Sequence, residues 1–301
     1  MDAMELRDRS GLTEKEFLQS YDVSLYERPS VTVDMLIFTV TDKEQDNYRK
    51  LPEKALQLLL IKRGEHPYLG QWALPGGFVA MHESIEEAAQ RELKSETNID
   101  SIYMEQLFTW GDVGRDPRTR VISCSYMALV DRTAMDVKAG DDADEARWFE
   151  VTYDLFQEKR TNFDDGFEYE KLMKIALKGE LELLTATIKI VETLKGRSTK
   201  MITEIVECKG IAFDHAQIIE YAIRRLQNKI EYTDIVFNLM PPLFTLSELQ
   251  QVYEVILGKE LLAAAFRRKI ANMVVETNEY TKDAGHRPSK LYRFNSNWNR
   301  Y

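Results

Sequence analysis

The sequence predicts an α+β protein built in two parts, and three observations carry that reading. The first 150 residues alternate β-branched and aliphatic runs around a single conspicuous amphipathic helix. From Phe213 onward the texture changes to three successive helical patterns followed by a strand–loop–strand. The chain has 301 residues, 44% hydrophobic and 30% charged, which is enough for two domains with real cores and excludes wholesale disorder.

Taken in order, Thr13–Tyr21 reads as a short helix that opens on a capping box of Thr13 and Glu16. Val31–Val40 alternates as a strand, Asp42–Lys54 is a polar loop, and Leu56–Lys62 is a second strand that pairs with the first. Gly70–Gly77 (GQWALPGG) is a loop. Ser84–Glu96 has helical composition, with Ile85, Ala88, Ala89 and Leu93 near one face. Val121–Val130 and Ala146–Glu150 are strands, the latter after the acidic turn GDDADE. The charged stretch Asp154–Glu182 is expected to be a helical linker. Thr185–Val191 and Lys200–Glu207, joined through KGRS, read as a β-hairpin. His215–Ile230 is a helix with an apolar stripe at Ile218, Ile219, Ala222, Ile223 and Leu226. Thr245–Leu257 begins with a Thr245/Glu248 capping box and ends at Gly258. Leu261–Met273 is the third helix, and Val274–Phe294 holds two strand-like pieces around KDAGHRP. Three helices and a strand–loop–strand outline a winged helix-turn-helix.

Net charge is −10. Taken whole, that opposes a protein that coats nucleic acid or an anionic membrane. The charge is unevenly placed, however. Residues 213–301 hold 12 basic and 10 acidic side chains, and residues 263–301 hold 8 basic against 3 acidic. The acidic excess therefore lies in the first part, and a basic tip lies at the end of the second. Two cysteines, Cys124 and Cys208, supply neither a disulfide framework nor a four-ligand zinc site. The N-terminus has no apolar leader and no apolar run reaches membrane-spanning length, so the expectation is a cytoplasmic protein with no membrane partner.

The stretch Gly77–Ile99 (GFVAMHESIEEAAQRELKSETNI) is the most informative. Glu92 and Glu96 stand four residues apart on one helical face, where carboxylates can hold Mg²⁺ against a diphosphate. Gly77, Glu83, Arg91, Glu92, Leu93, Glu96 and Ile99 fall in register with the Nudix box, and the preceding LPGG is also typical. The resemblance implies a Nudix fold, an α/β/α sandwich. It implies metal ligands Glu83, Glu92 and Glu96, and a catalytic set Arg91, Glu92 and Glu96, active or vestigial. Two positions depart from the pattern. Ser95 stands where the family has a principal metal-binding Glu, and a neutral hydroxyl is a poor replacement on a hard cation. Asn98 stands where the family has Gly, a milder change because Asn tolerates left-handed backbone. Mg²⁺ is accordingly expected only if the site is active, with Glu87 or another nearby acid standing in for the missing carboxylate. Asp112–Arg120 resembles the loop before the matching strand of Nudix proteins that act on ADP-ribose-like ligands, which makes Arg118 and Arg120 candidates for phosphate or ribose. The competing reading pairs them with acids such as Asp116. Trp72 and Trp110 read as core residues rather than base-stacking ones.

In the C-terminal part, Phe266, Ile270 and Met273 are spaced to face a core, leaving Arg267, Arg268 and Lys269 outward. With ELQQVYEVILGKELLAAAFRRKI and GHRPSKLYRF, this region resembles the DNA-binding domain of NrtR-type Nudix-related transcriptional regulators. The resemblance implies a degenerate Nudix domain that senses ADP-ribose or a related nucleotide or sugar, and a winged helix that binds double-stranded operator DNA as a homodimer. Arg267, Arg268, Lys269, Arg287 and Lys290 are the candidate DNA contacts. The alternative is an active Mg²⁺-dependent hydrolase resembling ADP-ribose pyrophosphatases. The expected domains are an arm at 1–28, a Nudix domain at 29–155, a linker helix and hairpin at 156–212, and a winged helix at 213–301.

Overall fold

A computed structural model describes residues 6–43, 52–98, 102–132, 146–281 and 288–298. The N-terminal arm carries α1 (Glu14–Ser20), opened by the Thr13/Glu16 capping box, and α1 buries none of its residues. The chain then enters a large mixed sheet. Its strands are β1 (Ser30–Asp42), β2 (Lys54–Lys62), β3 (Trp72–Ala73), β4 (Gly76–Phe78), β5 (Tyr103–Trp110), β6 (Val121–Leu129), β7 (Ala146–Phe163), β8 (Gly166–Lys178), β9 (Leu183–Lys195) and β10 (Ser198–Lys209). The order across the sheet is β10-β9-β8-β7-β2-β1-β6-β5, with β3 on β2 and β4 on β1. β1 and β6 run parallel in register from Ser30↔Val121 to Phe38↔Leu129.

Period two decides which layer each side chain enters. Val33, Met35 and Ile37 of β1 pack on one face with Ala88, Ala89 and Leu93 of helix α2 (Ile85–Thr97). Leu36, Phe38 and Val40 pack on the other face with β2 residues Leu56, Leu58 and Leu60. That second face is covered by α3 (His215–Lys229) and α4 (Leu246–Leu257). The α/β/α sandwich is therefore completed by helices that follow the sheet in sequence. Ile218, Ile219, Ala222, Ile223 and Leu226 of α3 are buried in the same cluster as Phe38 and Leu60, so one core runs through both parts of the chain.

α5 (Ala263–Ile270) follows α4, and β11 (Val274–Tyr280) pairs antiparallel with β12 (Lys290–Phe294). This is the helix–helix–helix–hairpin outline read from the sequence. α5 is shorter than expected: Leu262 is its N-cap and Ala271 its C-cap. No helix of the described residues is long and apolar enough to cross a membrane.

One expectation is overturned. Asp154–Glu182 is not a helical linker; it forms the outer part of β7, all of β8 and the residues just after it, and the two strands pair from Glu150↔Lys178 out to Phe163↔Gly166. The turn is the two residues Asp164–Asp165. Tyr153 and Leu155 on β7, and Met173, Ile175 and Leu177 on β8, alternate at period two. The charges that suggested a helix stand where the ribbon leaves the core and both of its faces meet water. β7 also runs unbroken across the expected boundary at 155/156. The hairpin read at 185–207 is real but longer, formed by β9 and β10 with Gly196 in the turn at positive φ. Three more strands went unread: β5, and the short β3 and β4 inside the GQWALPGG loop.

Candidate functional site

The box helix α2 begins with a second capping box, Ser84 and Glu87, in which the Ser84 amide donates to Glu87 Oε2 at 2.7 Å. Glu87 Oε2 is therefore engaged at the helix start. Asn98 ends the helix in left-handed conformation (φ 55°), doing what the family's glycine does. Gly77 lets the Glu92 carboxylate lie close against the strand: a Cβ there would displace Glu92 Oε1. Ile99 lies outside the described residues.

Arg91 organises the acids. Its guanidinium donates to Glu83 Oε1 at 2.8 Å and Oε2 at 3.1 Å, to Glu92 Oε1 at 2.5 Å, and to the Phe78 carbonyl at 3.2 Å. These bonds, with the Ala80 amide, hold the Glu83 carboxyl down at about 2. Glu96 is the opposite case. Burial and the Glu92 charge push its pKa up, and its buried Oε2 has no hydrogen-bond partner. Ser95 donates to the Glu92 backbone carbonyl at 2.9 Å and so is bound to its own helix. The box thus offers two acids locked to an arginine, one orphaned carboxylate and a neutral serine. Among the described residues no three of His, Cys, Asp or Glu come together as a cation site. Nudix hydrolases use a divalent metal; this donor set does not fit one as arranged.

Beside the box, across Gly76, Gly77 and Phe78, lies a cleft of about 180 Å³. Three guanidiniums line it: Arg63, Arg115 and Arg118. Phe78 at its mouth is half exposed, and Phe213 lies opposite. Arg118 stacks over the Phe78 ring at 5.6 Å and Arg63 over Phe213 at 4.9 Å. Burial first, and then the Arg118 charge, lower the pKa of Arg63. Like charges gathered in a cleft with aromatic faces fit an anion that carries a flat ring. Gly76 forms part of the wall because only glycine fits: a Cβ would meet the Val33 carbonyl oxygen at 2.1 Å.

The back wall contains a polar cluster that sequence reading missed. Asp34 is buried on β1, facing α3. Ser123 donates to Asp34 Oδ2 at 2.5 Å, and Arg115 Nη2 lies 3.5 Å from the same oxygen. Arg115 forks onto Asp214, Nε to Oδ2 at 2.8 Å and Nη2 to Oδ1 at 2.7 Å. His215 accepts the Leu74 amide at Nδ1 (2.9 Å), and burial lowers its pKa. The sequence signal for this cluster was Asp34, the one charged residue inside the apolar strand run Val31–Val40.

The two loop arginines separate. Arg118 lines the cleft while forking onto Asp116 at 2.8 and 3.0 Å, so the competing pairing is present together with the cleft position. Arg120 is not among the lining residues; it donates to the carbonyls of Gly111 (2.6 Å) and Asp112 (3.0 Å) and closes the loop. Trp72 and Trp110 are core residues, as read.

On α5, Phe266 and Ile270 are buried, as is Met273 beyond it, while Arg267, Arg268 and Lys269 are exposed. Lys269 pairs with Glu231 at 2.6 Å, just past the end of α3, and Lys290 pairs with Glu276 at 2.5 Å across the β11–β12 hairpin. Arg287 lies outside the described residues. The exposed basic face therefore rests on Arg267 and Arg268, with the two lysines held beside it.

Comparison with known proteins agrees with both halves. Residues 36–166 match the NUDIX domain model, and residues 236–294 match the NrtR DNA-binding winged helix domain. The chain is 35% identical to the "ADPR responsive transcriptional repressor NtrR" of Acinetobacter baylyi over 285 residues, covering 94% of this chain and 88% of that protein. A MutT/nudix family protein from Enterococcus faecalis superposes with a TM-score of 0.64 at 28% identity, over 94% of each chain. Shewanella oneidensis NrtR, solved in complex with a 27mer DNA, superposes with a TM-score of 0.57 at 27% identity, over 88% of this chain and 93% of that one. A Nudix sheet with its box helix, followed by an NrtR winged helix, places the chain in the NrtR family of Nudix-related transcriptional regulators.

Proposed function

We propose that this chain is a transcriptional repressor that responds to ADP-ribose or a closely related nucleotide, and that it senses the ligand without hydrolysing it. The observation that carries the reading is the cleft itself. Arg63, Arg115 and Arg118 suit a diphosphate, Phe78 and Phe213 offer faces for a base, and His215 of the back wall starts α3, the helix that leads into the winged helix domain at 236–294. Arg267 and Arg268 on α5 face operator DNA, with Lys269, Lys290 and Arg287 as further phosphate contacts. The protein acts as a homodimer on a two-fold operator, in the cytoplasm. Ser95, Arg91-locked Glu83 and Glu92, and cap-engaged Glu87 support a vestigial metal site, so Mg²⁺ is not needed for sensing.

A gel shift with the promoter fragment upstream of its own gene, titrated with ADP-ribose, tests this. Salt-sensitive, sequence-selective binding whose strength changes with ADP-ribose is expected; no selective binding, or binding indifferent to the ligand, overturns it. The orphaned Glu96 carboxylate favours a second reading, an active pyrophosphatase. Release of AMP from ADP-ribose with Mg²⁺, abolished in Glu96→Gln, would establish that reading instead.

A further inference from the structure

Asp214 is the N-cap residue of α3, yet its side chain makes no capping bond. Both of its oxygens are given to Arg115. A capping aspartate ordinarily accepts an amide of the first turn with its side chain, here that of Gln217, which now donates to the Asp214 backbone carbonyl at 2.9 Å. Asp214 thus has two alternative partners: a guanidinium on the loop before β6, or the start of its own helix. Arg115 also lines the cleft, its side chain only 6% exposed, so it joins a ligand in the cleft to the start of α3, the helix that leads into the winged helix domain.

We propose that Arg115 is the effector-sensing residue: the anionic group of the ligand takes its guanidinium from Asp214, and the released carboxylate turns to cap α3. This rests on the functional reading above and names its regulation. The two arrangements are discrete, which is what a switch requires. In one, the fork Arg115–Asp214 clamps the start of α3 to the sheet. In the other, the ligand's negative charge replaces Asp214, and the helix start keeps its own cap, His215 on the Leu74 amide and the backbone bonds of Gly210 and Ala212 to Trp72.

α3 is linked to α5 through the residues just past its end. Lys229, in its last turn, pairs with Glu105 of β5, and the following Glu231 holds both Lys269 and Lys259. A shift at the start of α3 is therefore passed by a rigid helix of 15 residues to the ion pair that sets Lys269 beside Arg268.

The test uses the full chain, ADP-ribose as the probe and the upstream promoter fragment. Asp214→Asn keeps the volume and the capping ability of the side chain but removes its charge. Because the ligand no longer has to break the fork, Asp214→Asn should bind ADP-ribose at least about fivefold tighter than wild type, the low end of ordinary coupling. The ratio of DNA affinities with and without ADP-ribose should fall toward one. A merely supporting role for Asp214 would weaken ligand binding or leave it alone. Unchanged or weaker ADP-ribose binding, or a DNA complex that still responds as wild type does, overturns the inference and leaves the functional reading standing. A wild-type chain that binds no ADP-ribose overturns both. If Asp214→Asn does not fold, the ADP-ribose complex of the wild type decides. Arg115 on the ligand with Asp214 on the Gln217 amide is expected, and Arg115 still forked onto Asp214 overturns the inference.

Discussion

Ile219 lies in the second turn of α3 with none of its surface exposed, inside the cluster shared by the sheet and the C-terminal helices. Ile219→Ala deletes most of that side chain and leaves a cavity that a sheet on one side and a helix on the other cannot readily collapse. The loss should be about 2–5 kcal/mol. For a chain of this size roughly 2 °C of Tm accompanies each kcal/mol, so a fall of about 4–10 °C is expected. The form of the change is more telling than its size. Phe38 and Leu60 of the sheet, Ile219 and Ile223 of α3, and Val252 and Ile256 of α4 belong to one apolar cluster. Scanning calorimetry should therefore show a single transition that moves as a whole, with far-UV and near-UV circular dichroism melting together. Two transitions of which only the later, helical one moves would refute the shared core, as would a loss below about 1 kcal/mol.

Ser95→Glu should return the missing carboxylate to the box helix, and with it Mg²⁺-dependent AMP release from ADP-ribose absent in the wild type; a coupled AMP assay checks it. Arg268→Ala should weaken binding to the promoter fragment at least about tenfold and flatten its dependence on log salt by about one ion, measured by fluorescence anisotropy. Glu83 has a folded pKa of about 2 against an ordinary 4.5. Its contribution is therefore complete above about pH 4.5 and lost as the pH falls toward about 2, so the Tm gap between wild type and Glu83→Gln should close over that window. Burial depresses His215, so the unfolded chain takes up its proton first; the stability of wild type relative to His215→Gln should fall as the pH drops below the ordinary histidine value of 6.5.

Much of the fold was legible because its elements carry strong periodic signals. Val31–Val40 alternates cleanly between two buried faces, and α3 and α4 each show one apolar stripe with clear ends. The box helix was readable residue by residue, since capping, metal chemistry and turn chemistry all constrain it locally. The ribbon of β7 and β8 was not. Beyond Leu155 its side chains meet water on both faces, so alternation gives way to charge and the composition imitates a polar helix. β5 was missed for a related reason: as an edge strand it buries only Leu107 and Trp110 fully. The site shows the same division. Arg91, Glu92 and Arg118 belong to local patterns, whereas Asp34, Arg115, Asp214 and His215 come together from three separated segments. Arg115 and Asp214 are 99 residues apart, and no local spacing announces such a pair.

The outermost strand of the ribbon bears on how the protein behaves when concentrated. β10 has β9 on one side and an open row of backbone groups on the other. Such an edge invites another chain to add a strand, and Met201, Ile202 and Val206 are exposed along it. Two features discourage that growth. The register slips between Ile205 and Glu207, which bends the edge out of line, and Lys200, Glu204, Glu207 and Lys209 place mixed charges along its length. A strand arriving from a second molecule would have to match a kinked ladder while setting its own side chains against those charges. The same kink and charges let the extended ribbon stand in water as the end of the sheet while opposing edge-to-edge growth.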